Sequence, residues 1–269
     1  MKPDGRRRFA IIGFGAITEE VVRTLDEPRE LSALAGVLVR RSHLDAAKRK
    51  AAGRFPVVAT LDEILALRPD VVAECAGHGA MREFGAAILG RGVDLICSSV
   101  GVLADAAFAR TLVGARLLIP SGAIAGIDGL LASRTAGLRS VTYTTVKAPA
   151  AWMGTPAEEQ VRAAGQQRIT FFEGTAREAA LRYPKNVNVG ATVALASLGL
   201  DRTQVKMVSD PEASGPLGII DASGDFGTFR FEILAYASPH NPKTSLLTAH
   251  SIIAAARENV CFAAFGFGS

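Results

Sequence analysis

The chain has 269 residues, 49% of them hydrophobic and 21% charged. That is enough for one large domain or two ordinary ones, with the composition of a folded globular protein. The net charge of +4 is spread over scattered Lys and Arg, which argues against a nucleic-acid partner and suits small anionic ligands.

The first 120 residues alternate short apolar runs with amphipathic ones, the pattern of a parallel α/β sheet. Arg6-Arg7-Arg8 is expected to form a solvated arm ahead of the first strand, 9–13. A helix follows over 17–25 and a second strand over 34–39. Ser42 is a cap candidate for a helix to about residue 52. Val57-Val58 reads as a third strand, and Thr60 with Glu63 spells a capping box for the next helix. Strands at 71–75, 95–98 and 116–120, with helices at 81–89 and 104–112, complete a doubly wound sheet of six strands.

Beyond Pro120 the texture changes. Runs at 141–147, 168–173, 204–209, 219–222 and 228–235 read as strands, several alternating apolar with polar residues as a mainly antiparallel sheet does. Helices are expected at 176–181 and 189–196, and a last one over 244–257 that returns to the first domain. The expected organisation is α/β: a doubly wound parallel-sheet domain, 1–121 plus 244–269, and a second, α+β domain over 122–243.

No apolar run reaches the roughly 18 residues of a membrane span, and Gly13 and Gly15 interrupt the N-terminal one, so neither membrane segment nor leader is expected. Cys75, Cys97 and Cys261 lie far apart in apolar runs and read as free thiols of a cytoplasmic protein, with no metal-ligand spacing.

Gly13-Phe-Gly15-Ala16-Ile17-Thr18 joins the first strand to the first helix. Glycines there permit a tight turn and let the backbone approach a pyrophosphate at the helix N-terminus. Thr18 stands where a third small residue is usual. A bare strand–helix turn is the plainer alternative. The second strand ends in Arg40-Arg41-Ser42 rather than in an acid that would bind the ribose hydroxyls. Two guanidiniums suit a 2′-phosphate, which favours NADP over NAD, unless the segment is only a solvated basic loop. Ala76, Gly77 and His78 follow the fourth strand and Ser98 the fifth, at the edge where ligands bind; His78 is equally readable as a helix-capping residue.

Taken with Glu74-Cys-Ala-Gly-His78, the segments Pro120-Ser-Gly-Ala-Ile-Ala-Gly-Ile-Asp128, Phe172-Glu-Gly-Thr-Ala176, Tyr183-Pro-Lys-Asn-Val-Asn188 and Asn241-Pro-Lys-Thr-Ser245 resemble the L-aspartate dehydrogenase family over nearly the whole chain. The resemblance implies NAD(P)-dependent oxidation of an amino acid at its CH–NH2 carbon, aspartate or a relative, with a role in NAD biosynthesis. It implies that 1–121 with 244–269 is a dinucleotide-binding Rossmann domain and that 122–243 binds substrate and builds a homodimer or higher homo-oligomer, with nicotinamide contacts from Ala123 and Asn188. It also places the family's catalytic His at Gly218 of this chain, and its neighbouring Asn at Pro216.

A glycine neither accepts a proton nor polarises a carbonyl, and that help is worth roughly 10²–10⁴-fold. His240 and Lys243 are therefore taken as the substitute catalytic candidates, with His250 and Lys147 behind them. An altered substrate, another NAD(P)H-dependent reductase on the same fold, and a non-catalytic dinucleotide-binding protein are the alternatives.

Overall fold

The computed structural model describes residues 7–238 and 241–263. They divide into two compact units: 7–99 with 106–120 and 248–263, and 100–105 with 121–238 and 241–247. The 100–105 turn, expected in the first domain, belongs to the second unit.

In the first unit, strands β1 (Phe9–Ile12), β2 (Leu34–Leu38), β3 (Val57–Val58), β4 (Val71–Glu74), β5 (Asp94–Cys97) and β6 (Leu117–Ile119) lie in the order β6-β5-β4-β1-β2-β3. All their pairings are parallel. The strands are buried on both faces, hence their continuous Val, Ile and Leu rather than alternation. Strand order reverses between β1 and β4, so the loops that follow these two strands meet at the point where doubly wound sheets bind ligands.

The helix Leu246–Glu258 sends Ala249, Ile252 and Ala256 into the core of this unit, with Phe9, Ile11, Val37 and Ile96. Arg7 and Arg8 are not a free arm. Arg7 Nη2 pairs with Asp94 at 2.9 Å, and Arg8 Nη1 donates to the Leu67 carbonyl at 2.9 Å. Both tie the start of β1 to its neighbours.

The second unit carries a five-stranded sheet. Its strands are β7 (Leu138–Lys147), β8 (Ile169–Thr175), β9 (Gln204–Ser209), β10 (Leu217–Gly224) and β11 (Gly227–Leu234), in the order β11-β10-β7-β9-β8. Every pairing is antiparallel except β7 with β9. Along β7 the side chains of Val141, Tyr143 and Thr145 are buried while Thr142 and Thr144 are half-exposed, the period-2 signature of a sheet covered on one face. The helix Asn188–Ala196 lies on the buried face, where Tyr143 approaches Gly190.

Several local expectations are corrected. Ser42 does not cap a helix: it sits inside a 3₁₀ turn, Arg41–His43, and the helix Leu44–Ala51 starts after it. The span 104–112 is not one helix but a 3₁₀ turn, Val100–Ala104, followed by the short helix Ala106–Ala109. Asn241–Ser245 is a strand, β13, paired with β12 (Ala237–Ser238), so the last helix begins at Leu246 rather than 244. The seventh strand of the first sheet, β14 (Phe262–Ala263), joins β6 antiparallel. No helix among the described residues is long and apolar enough to cross a membrane.

Candidate functional site

In the first unit β1 ends in a glycine turn that leads into a helix. Gly13 has φ +98°, and a Cβ there would meet the Ala76 Cβ at 2.8 Å. Both the turn and the neighbouring loop after β4 therefore require glycine. At Gly15 an added Cβ would meet nothing within 4 Å, so the backbone is open just before the helix Ala16–Thr24. The N–H groups of that first turn lack intrahelical acceptors and favour an anion.

Thr18 braces this loop. Its buried hydroxyl donates to the Gly13 carbonyl at 2.9 Å, closing the loop on itself where a third glycine would leave it unsupported. These residues fit a dinucleotide.

Glu74, at the end of β4, was visible in the sequence only as a motif letter. It is fully buried. Its Oε1 accepts from the N–H of Ala76 at 2.7 Å, the N–H of Gly77 at 2.6 Å and the Ser99 hydroxyl at 3.1 Å, and its Oε2 from the Ser99 N–H at 3.1 Å. Burial pushes the carboxyl above its usual range, against the pull of these donors. One side chain thus fixes the loops after β4 and β5, which carry Ala76, Gly77, His78 and Ser98. His78, half-buried, is the first residue of the helix His78–Gly90. Burial also raises the Cys75 and Cys97 thiols, as suits unreactive packing residues.

Arg40 and Arg41 are exposed beyond the end of β2 and form no ion pair with any described carboxylate. An anion arriving there meets two exposed guanidiniums, of which Arg41 also acts on the Glu63 carboxylate through space.

In the second unit the Asn188 side chain begins the helix Asn188–Ala196, and its Oδ1 accepts the Gly101 N–H at 3.0 Å. That bond fixes the orientation of the amide and anchors the 100–104 turn. Ala123 is half-buried in the segment that follows β6.

Gly218 is buried on β10 directly opposite Thr145 of β7. A Cβ at Gly218 would lie 3.0 Å from Ile124 Cδ1 and 3.3 Å from the Tyr143 hydroxyl. Burial pushes the Tyr143 phenol up to about 12, despite its hydrogen bond to Thr145. It stays protonated at neutral pH.

Two residues further along the same face stands Lys147, half-buried, its ammonium 5.2 Å from the centre of the Trp152 ring. Burial lowers its pKa from the usual lysine value. His240 lies outside the described residues, as does the side chain of Lys243. His250 is exposed on the last helix.

Two family models match the chain: the homoserine dehydrogenase NAD-binding domain over residues 13–116, and the aspartate dehydrogenase C-terminal domain over residues 128–259. The L-aspartate dehydrogenase of Ruegeria pomeroyi is 43% identical over 264 residues, covering 95% of this chain and 94% of that one. That of Pseudomonas aeruginosa is 39% identical over 255 residues, covering 92% and 95%. The crystal structure of aspartate dehydrogenase from Thermotoga maritima superposes with a TM-score of 0.65 at 27% identity, covering 92% of this chain and 94% of that one. With an NAD-binding dehydrogenase domain, a matching C-terminal domain and this likeness over nearly its full length, the chain belongs to the L-aspartate dehydrogenase family.

Proposed function

We propose that the protein oxidises L-aspartate, or a closely related amino acid, at its CH–NH2 carbon, and aminates the corresponding 2-oxo acid in reverse. The observation that carries this reading is the 43% identity to an L-aspartate dehydrogenase across 95% of the chain.

The dinucleotide is held by Gly13, Gly15, Ala16 and Ile17 at the pyrophosphate, and by Ala76, Gly77, His78, Ser98, Ala123 and Asn188 toward the nicotinamide. When bound, it supplies the hydride acceptor. The chain's own residues bind and orient: Glu74 sets the two loops, and Asn188 presents a fixed amide. Arg40 and Arg41 receive a 2′-phosphate, which favours NADP over NAD.

A narrower reading rests on Gly218. With no imidazole at the family's acid–base position, the substrate preference is shifted away from aspartate, toward another amino acid. His240 and Lys243 remain the proposed substitutes for that imidazole. Cytoplasmic location and self-association complete the proposal. Leu234 and Tyr236, 46% and 80% exposed at and beyond the end of β11, support an apolar contact between copies.

Initial rates of NADPH and NADH oxidation with oxaloacetate and ammonia, set against a panel of other 2-oxo acids, test the reading. Ammonia-dependent turnover of oxaloacetate is expected, with a second 2-oxo acid turned over at least as fast. Oxidation of either cofactor that does not depend on ammonia overturns it.

A further inference from the structure

Lys147 occupies an unusual position for a cation. Strand alternation puts it on the same face of β7 as Tyr143 and Thr145. Gly218 lies opposite Thr145, so Lys147 stands about 7 Å further along that face from the residue paired with Gly218. The site in which the family resemblance locates its acid–base group is therefore flanked on this strand by one ammonium.

Among the described residues no carboxylate pairs with that ammonium, although fourteen ion pairs elsewhere show that acids and bases of this chain readily meet. Among the described residues its contact of an electrostatic kind is the face of Trp152, which attracts a cation without neutralising it. The Trp152 ring is itself fully buried, and its indole N–H has no acceptor. The ammonium thus has the face of a buried ring beside it and, among the described residues, no anion, in a place where leaving a charge unpaired is costly.

We infer that Lys147 receives a carboxylate of the substrate. The inference rests on the reading of the protein as an amino-acid dehydrogenase and adds to it the group that holds the acid in place. It makes Lys147 a binding residue, one that orients the reacting carbon rather than moving a proton. Burial suits such a residue, because a half-dehydrated ammonium binds an anion more strongly than a fully solvated one.

The test compares the full-length protein with Lys147→Met and Lys147→Arg, using succinate as an unreactive dicarboxylate probe in the presence of NADPH. Melting temperatures serve as the control for folding; Met keeps the aliphatic stem and Arg keeps the charge.

Lys147→Met is expected to weaken succinate binding about 10–100-fold. It should raise the KM for the best amino-acid substrate similarly, with the loss falling on KM more than on kcat. Lys147→Arg should restore most of both. Equal succinate affinity in wild type and Lys147→Met, or no succinate binding by the wild type, overturns the inference. So does a kcat loss that Arg fails to rescue at unchanged KM, because that assigns Lys147 a proton rather than a carboxylate. Succinate binding that depends on Lys147 in a protein that oxidises no amino acid upholds the anchor while the dehydrogenase reading fails. Amino-acid oxidation indifferent to Lys147 does the reverse.

Discussion

Ser99 reaches the Glu74 carboxylate twice, through its N–H and its hydroxyl, each at 3.1 Å and each inside the protein. Twenty-five residues separate them, yet the pair joins the ends of two adjacent parallel strands, β4 and β5. Because Ala76 and Gly77 donate to the same carboxylate, removing one donor should loosen both loops together. Ser99→Ala leaves the backbone donor in place and removes the hydroxyl. The expected cost is about 1.5–3 kcal/mol, the worth of a hydrogen bond to a buried charged group, together with weaker dinucleotide binding. Urea unfolding with and without cofactor measures both, and an unchanged midpoint refutes the clamp.

Thr18 is the position where the glycine loop departs from its usual lettering, and its hydroxyl explains the departure. Thr18→Ala should cost about 1 kcal/mol in stability and raise the dinucleotide Kd several-fold by freeing the Gly13 carbonyl. Thr18→Ser keeps the hydroxyl and should recover most of the affinity. If Ser behaves like Ala in fluorescence titration with NADPH, the brace is not what holds the loop.

Much of this was legible in the sequence. Thr60 and Glu63 spell a capping box, and the box forms: Glu63 Oε2 accepts the Thr60 N–H at 2.9 Å, and Thr60 Oγ1 accepts the Glu63 N–H at 3.3 Å. The six parallel strands were legible because burial on both faces leaves unbroken apolar runs. Helices with little apolar surface were not. Glu158–Ala164 buries only Val161, so it carries no periodic signal, and Ile127–Ser133 begins behind a glycine and spans seven residues. The Glu74 clamp, and the absence of a described carboxylate beside Lys147, were invisible for another reason. Both depend on which partners the fold delivers or withholds, and residue spacing along the chain holds no record of that.

On the proposed reading Arg40 and Arg41 set the cofactor preference. Full charge-assisted bonds to a phosphate would discriminate strongly, but both side chains are exposed and salt screens them, so a preference of about 10-fold for NADPH over NADH is expected. The double variant Arg40→Asp/Arg41→Ala should reverse it. Calorimetric Kd values for the two cofactors at low and physiological salt provide the check. Equal affinities in the unaltered protein sink the idea.

Lys147 makes ligand binding depend on pH in a definite direction. Burial places its native-state pKa below the usual 10.5. Between those two values the unfolded chain holds the proton that the native chain has lost, so stability rises with pH across that window, and the cost of burying the charge is felt below it. A carboxylate ligand favours the protonated form. Succinate affinity should therefore be highest below the native pKa, fall as pH rises through it, and be accompanied near that pH by proton uptake. Titration in two buffers of different ionisation enthalpy reads the uptake directly. Lys147→Met should show neither the uptake nor the fall.

Gly218 offers the sharpest test of the proposal that the family's imidazole is absent here. That proposal invites restoration by Gly218→His with Pro216→Asn, but the structure adds an obstacle. The new Cβ would stand 3.0 Å from Ile124 Cδ1 and 3.3 Å from the Tyr143 hydroxyl, tighter than packed atoms tolerate without a shift. Gly218→His alone should therefore destabilise the protein by about 1–3 kcal/mol, the usual cost of overpacking. It should leave aspartate turnover little improved, because the ring cannot adopt an unstrained rotamer. Ile124→Val removes the obstructing methyl. The combination Gly218→His/Pro216→Asn/Ile124→Val should regain most of the lost stability and increase aspartate oxidation relative to the unaltered chain. Initial rates at alkaline pH, paired with urea midpoints, separate space from chemistry. A triple variant that is stable yet no faster with aspartate would mean that the proton moves through a group other than residue 218. A Gly218→His variant as stable as the parent would show that Ile124 and Tyr143 yield freely, and that glycine stands here for some reason other than room.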